Sequence, residues 1–159
     1  MLRQYSDTVI IEVGGHDHYA DLRYHNTNGV KNLPDLKTSA DFHNLLVAPG
    51  ITPNKGQNPG VAMFQIDDNL VPTNLRMEFL NLQPTLGVQN ISYEMLKFFS
   101  VDFNKDFGLK NLDPLSLATF RKSLEAGGDT PTLNYLVSKL GFDPKDNTQF
   151  TAGVNVLIS

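Results

Sequence analysis

The run Thr8-Val9-Ile10-Ile11-Glu12-Val13 constrains this chain more than any other segment. It is β-branched and nearly continuous in apolar character. A strand that alternates polar and apolar residues can leave one face in water. A strand without alternation has to be covered on both faces, which is the pattern of a parallel strand inside an α/β arrangement. Gly14-Gly15 stops it, and the chain runs directly into His16-Asp17-His18. Ligands in such sheets gather beyond the carboxyl ends of the strands.

The rest of the first half reads as β structure. The segment from His16 to about Asp41 is polar, with Asn28-Gly29 as a turn. Leu45-Leu46-Val47-Ala48 forms a second short strand, ended by Pro49-Gly50, and a turn-rich loop follows from Ile51 to Gly60. Val61 to Asp67 is a third strand, and Asp68-Asn69 turns it into Leu75-Arg76-Met77-Glu78-Phe79-Leu80-Asn81-Leu82. The alternation there predicts a half-exposed strand.

After Pro84 the character changes. Met95, Leu96 and Phe99 predict a helix from Ser92 to about Phe99. Asp113-Pro114 is a helix start, an acidic N-cap followed by Pro at the first helical position, and Gly127-Gly128 is the stop. Thr130-Pro131 repeats the start. Leu133, Leu136, Val137 and Leu140 follow at i, i+3, i+4 and i+7, and Gly141 closes the helix. Thr151 to Ser159 is a last strand or a tail. The expected organisation is a β-rich segment, residues 1–83, followed by a helical extension, residues 84–159.

Composition excludes several functions. A length of 159 residues with 40% hydrophobic and 19% charged residues suits one globular domain. No apolar run approaches the roughly 20 residues of a membrane helix, so no transmembrane segment is expected, and residues 1–7 show no signal-peptide core. The net charge is −4 and the Lys and Arg residues are scattered. Without a basic stripe to neutralise a phosphate backbone, no nucleic-acid partner is expected. Cysteine is absent, which removes disulfides, thiolate zinc sites and Cys nucleophiles, and leans weakly towards the cell interior.

Two His at i and i+2 in extended backbone project to one side. At a strand end they can spread over two adjacent ions, and neutral imidazole suits zinc, iron and other borderline cations. Asp17 is either an acceptor that fixes an imidazole tautomer or a solvated loop acid. Phe98, Phe99, Phe103 and Phe107 read as core or interface. On spacing alone His-x-His reads first as a polar surface triplet, because a metal site needs three or four ligands and nothing in the sequence ties His25 or His43 to His16.

Gly15-His16-Asp17-His18 after an apolar strand resembles the final Gly-His-x-His block of calcineurin-like metallophosphoesterases. Ala48-Pro49-Gly50-Ile51-Thr52, then Gly56-Gln57-Asn58-Pro59-Gly60, then a strand ending Gln65-Ile66-Asp67, is similar to the acid sphingomyelinase-like phosphodiesterase branch. The resemblance covers most of the chain. It implies an α/β fold (α+β within this chain): the C-terminal part of a β-sandwich flanked by helices, with the helical extension after it. It implies that His16 and His18 each ligate one of two divalent metal ions, zinc foremost and iron or manganese as alternatives. Thr52, Asn54 and Asn58 would line the substrate side of the pocket, and the substrate would be a phosphodiester or phosphomonoester.

The family's earlier Asp-x-His, Gly-Asp and Gly-Asn-His-Glu blocks do not precede Gly15. Asp41-Phe42-His43 and Gly128-Asp129 match two of them by letters but lie downstream. No catalytic His is therefore expected here. The implied partner is the missing N-terminal half of the domain, or another chain that supplies it. A non-catalytic interaction or structural subunit derived from the family is the alternative. The family also implies a secretory or lysosomal setting, opposite to the lean of the missing cysteines, so the compartment stays open.

Overall fold

The strand that ends at the histidine segment is β1 (Glu12–Gly14), and it pairs in parallel with β3 (Phe42–Val47), Gly14 opposite Val47. On the other side of β3 lies β2 (Asp21–Asn26), antiparallel, so the sheet order is β1-β3-β2. The computed structural model from which these elements are read describes residues 9, 11–26, 42–53, 56–126, 130–146, 148 and 151. The parallel direction agrees with the sequence. The two-sided burial does not: β1 is an edge strand and Val13 is 58% exposed. Among the described residues the strand has one neighbour, and Ile11, just before it, packs against the core. The polar segment after His18 contains β2, which the sequence reading passed over. Charged Asp21 and Arg23 flank Leu22, a pattern that suits a half-wet edge strand and carries little apolar signal.

A second sheet has the order β4-β5-β6, all antiparallel, from β4 (Gly60–Ile66), β5 (Pro72–Asn81) and β6 (Lys97–Asp102). The β4–β5 turn is built by Asp67, whose Oδ1 accepts the N–H groups of Asn69 at 2.9 Å and Val71 at 2.8 Å. Along β5 the side chains of Leu75, Met77 and Phe79 alternate into the core. The helix expected over Ser92 to Phe99 is absent. A 3-10 turn at Tyr93–Met95 leads into β6. Lys97 to Asp102 is rich in aromatic and β-branched residues, and pairing with β5 decides the matter for a window too short to separate the two periods.

Three helices complete the described residues: α1 (Phe103–Phe107), α2 (Pro114–Ala126) and α3 (Thr130–Lys139). Asp113 Oδ1 accepts the Ser116 N–H at 2.7 Å, the N-cap that the sequence announces. Asp113→Ala is expected to cost about 0.5–2 kcal/mol, read as a lower denaturation midpoint at unchanged slope. Helix α3 closes at Gly141, φ 76°, where the Phe142 N–H reaches the Val137 carbonyl at 3.2 Å.

The core sits between the sheets and the helices. Phe103 meets Phe107, Phe120 and Tyr135 edge-on, with centroids 5.2 to 6.3 Å away. The Tyr135 hydroxyl accepts the Leu22 N–H at 3.2 Å and ties α3 to β2. Burial, and then the charge of Asp21, push that hydroxyl above the ordinary phenol range, so it stays protonated. The result is a mixed α+β architecture of two small sheets with helices, and no described helix is long and apolar enough to cross a membrane. The turn at Asn28-Gly29, the helix stop at Gly127-Gly128, Asp41, Asp129 and residues 152–159 lie outside the described residues.

Candidate functional site

The carboxyl end of β1 is sealed by the Ala48 N–H, which donates to the Gly14 carbonyl at 2.8 Å. Beyond it the chain turns sharply. His16 has φ 82° and His18 has φ 66°, both left-handed conformations in residues other than glycine. The extended i, i+2 projection expected from the sequence is therefore replaced by a turn. Its physical reason is the closure of the loop against the next strand connection: the His18 carbonyl accepts the Gly50 N–H at 2.9 Å. Each such conformation costs on the order of 1–2 kcal/mol, and non-glycine residues held this way cluster at functional sites.

The ring of His18 is fixed. Its Nδ1 lies 2.8 Å from the Thr52 carbonyl oxygen. A carbonyl only accepts, so Nδ1 carries the hydrogen, and in the neutral ring Nε2 is left with the lone pair. Metal-bound imidazoles are oriented in this way, by a carbonyl or carboxylate on the nitrogen away from the ion. Gln57 Nε2 donates to the same Thr52 carbonyl at 2.9 Å, so the side chain at one end of the loop and the ring of His18 share one acceptor. The ring also lies directly over Gly50, where an added Cβ would stand 2.8 Å from its Cγ and Nδ1. Gly50→Ala is expected to displace the ring from Thr52 and to cost about 1–3 kcal/mol by overpacking. A lower melting temperature together with shifted His18 ring resonances checks it.

Thr52 thus lies against His18, as the resemblance implied, through its backbone carbonyl. His16 is exposed at the turn. Asn54 lies outside the described residues. Asn58 is 7% exposed: its Nδ2 donates to the Gly141 carbonyl at 2.8 Å and its Oδ1 accepts the Leu82 N–H at 3.0 Å. It joins the loop, the end of β5 and the turn after α3. A pocket of about 270 Å³ opens there, lined by Pro53, Gln57 and Asn58 from the loop.

Asp17 pairs with Arg23, and the acceptor on His18 Nδ1 is the Thr52 carbonyl, so the tautomer-fixing role considered for Asp17 falls to the backbone. Arg23 also donates to Asp21 at 3.0 Å, and Asp21 meets Lys139 at 2.9 Å. Hydrogen bonds from Asp21 and then Asp17 hold the Arg23 guanidinium above its ordinary value, which keeps it cationic. Backbone register pairs His25 with His43 across β2 and β3. Val47 sits beside Gly14, so His43 lies about 13 Å down the strand, at the end of the sheet away from His16 and His18.

Neutral imidazole is a ligand type that suits zinc or iron, and among the described residues no group of three or more His, Asp or Glu that could hold a metal ion is found. Gly50 and Gln57, which hold the His18 ring, stand inside the motifs that carry the resemblance, but their sequence signal is only a small residue and an unassigned position. The chain matches no protein-family model and no curated protein.

Proposed function

We propose that this chain is the C-terminal portion of a metal-dependent phosphoesterase, incomplete on its own, in which His16 and His18 each ligate one of two divalent ions. One observation carries the reading. At the carboxyl end of a parallel strand, His18 is held through Nδ1 by a backbone carbonyl with Nε2 as its acceptor nitrogen. When bound, two such ions would supply a hydroxide nucleophile at neutral pH and stabilise negative charge on the attacking and leaving oxygens. The chain's own residues do the positioning. Thr52 and Gln57 set the imidazole, Gly50 leaves room for it, and the loop carrying Thr52, Asn54 and Asn58 forms the wall on which the ester lies. Further ligands come from an additional polypeptide segment carrying the Asp-x-His and Gly-Asn-His-Glu blocks, either the N-terminal half of the domain or a partner chain.

Residues 1–159 supplied with zinc or manganese should give no enzymatic turnover of a chromogenic phosphodiester. Two imidazoles alone would not hold two divalent ions at the roughly 3.5–4 Å separation of two-metal sites. Adding a folded segment with the remaining ligands should restore metal-dependent turnover. Turnover by the chain alone, or none with the segment bound, contradicts the reading. The second outcome favours the alternative, a non-catalytic interaction or structural subunit.

A further inference from the structure

The pocket between the Gln57–Asn58 loop, the end of β5 and the turn after α3 has a chemistry of its own. Asn81 and Gln83 bring amides to it, Leu86 and Phe142 bring apolar surface, and no ionisable side chain lines it among the described residues. Its frame is built in advance. The buried Asn58 amide spans Gly141 and Leu82, and Gly141 packs so closely that a Cβ there would stand 3.0 Å from the Asn58 carbonyl oxygen. The Asn81 amide is oriented too, because its Oδ1 accepts the Gln83 N–H at 2.9 Å.

Two physical consequences follow. The described wall offers no charge to pair with an ionised ligand, and burying an unpaired charge is costly. An amide presents a donor and an acceptor side by side, and a hydroxyl is itself both, so neighbouring amides match neighbouring hydroxyls while an aromatic and an aliphatic side chain take the C–H face of a ring. At about 270 Å³ the pocket lies at the small end for ligand sites, the scale of one or two saturated rings.

We propose that this pocket binds an uncharged, polyhydroxylated ring of the sugar class, with Asn81 and Gln83 on its hydroxyls and Phe142 and Leu86 against its face. The proposal does not rest on metal binding, because none of the four contacting residues is a candidate metal ligand.

Titration of the whole chain with methyl glucoside, maltose and glucuronate, followed in heteronuclear amide correlation spectra, tests it. A neutral sugar should give saturable shifts at the Asn81 and Gln83 side-chain amides and the Phe142 backbone amide, with a Kd of about millimolar. Glucuronate should bind at least several-fold more weakly. Phe142→Ala should abolish the shifts. Gln83→Ala, at an exposed position where folding is not at stake, should weaken binding several-fold. Absence of saturable shifts with both neutral sugars overturns the proposal, as do equal binding by Gln83→Ala and tighter binding of glucuronate.

Discussion

In an assembly that hydrolyses a chromogenic phosphodiester, His18→Ala should lower kcat/KM by about a thousandfold. A catalytic metal ion supplies several kcal/mol of transition-state stabilisation, and each 1.36 kcal/mol is a factor of ten in rate. The fold should survive the change, because the backbone bond from the Gly50 N–H to the His18 carbonyl does not involve the ring. Gln57→Ala should cost less, about 10–100-fold, because Gln57 reaches His18 only through the shared Thr52 carbonyl. Excess zinc should partly restore Gln57→Ala, whose ligands are intact, and leave His18→Ala inactive. A loss smaller than tenfold in His18→Ala would remove His18 from the ligand set.

Phe79→Ala should produce the largest loss of stability. The ring is 1% exposed and stacks on Phe99 with centroids 5.1 Å apart. Chain on both sides closes over it: a Cβ at Gly60 would stand 2.5 Å from the ring and one at Gly141 3.4 Å. Backbone packed this closely relaxes little into a cavity, so the cost falls at about 3–5 kcal/mol. For a chain of this length that lowers the melting temperature by roughly 6–20 °C, and it is a large share of a typical stability of about 5–15 kcal/mol. Phe98→Ala is the control. Phe98 immediately precedes Phe99 in β6 but is 63% exposed, and its removal should stay within about 0.5 kcal/mol. A thermal melt of the two variants checks the contrast. A Phe79→Ala cost below about 1 kcal/mol would mean that the joint between β5, the loop and α3 is looser than these contacts show.

What the sequence made legible were features whose cause is local. The Asp113 cap, the turn at Asp68-Asn69 and the inward alternation of Leu75, Met77 and Phe79 each depend on neighbours a few residues away, and each is found where the sequence places it. What it hid depends on distant partners. Lys97 to Asp102 becomes a strand because β5 offers a ladder, and the cover of Val13 depends on what packs over its face of β1, where it stays 58% exposed. The site divides in the same way. The histidines at the end of a parallel strand and the loop carrying Thr52 were visible as motifs. That His18 would be set by a backbone carbonyl 34 residues away, and that Asn58 would span to Gly141 across 83, was not. Backbone acceptors leave no mark on the identity of the residue that supplies them.

The central claim is that His18 is a metal ligand prepared by Thr52. Imidazole nitrogen resonances of His18, recorded near neutral pH with and without zinc, test it most directly. The expected result is a ring that carries its hydrogen on Nδ1, with the Nε2 resonance moving on zinc addition and the Nδ1 hydrogen retained. A ring protonated on Nε2, or an Nε2 resonance unmoved by saturating zinc, would contradict it.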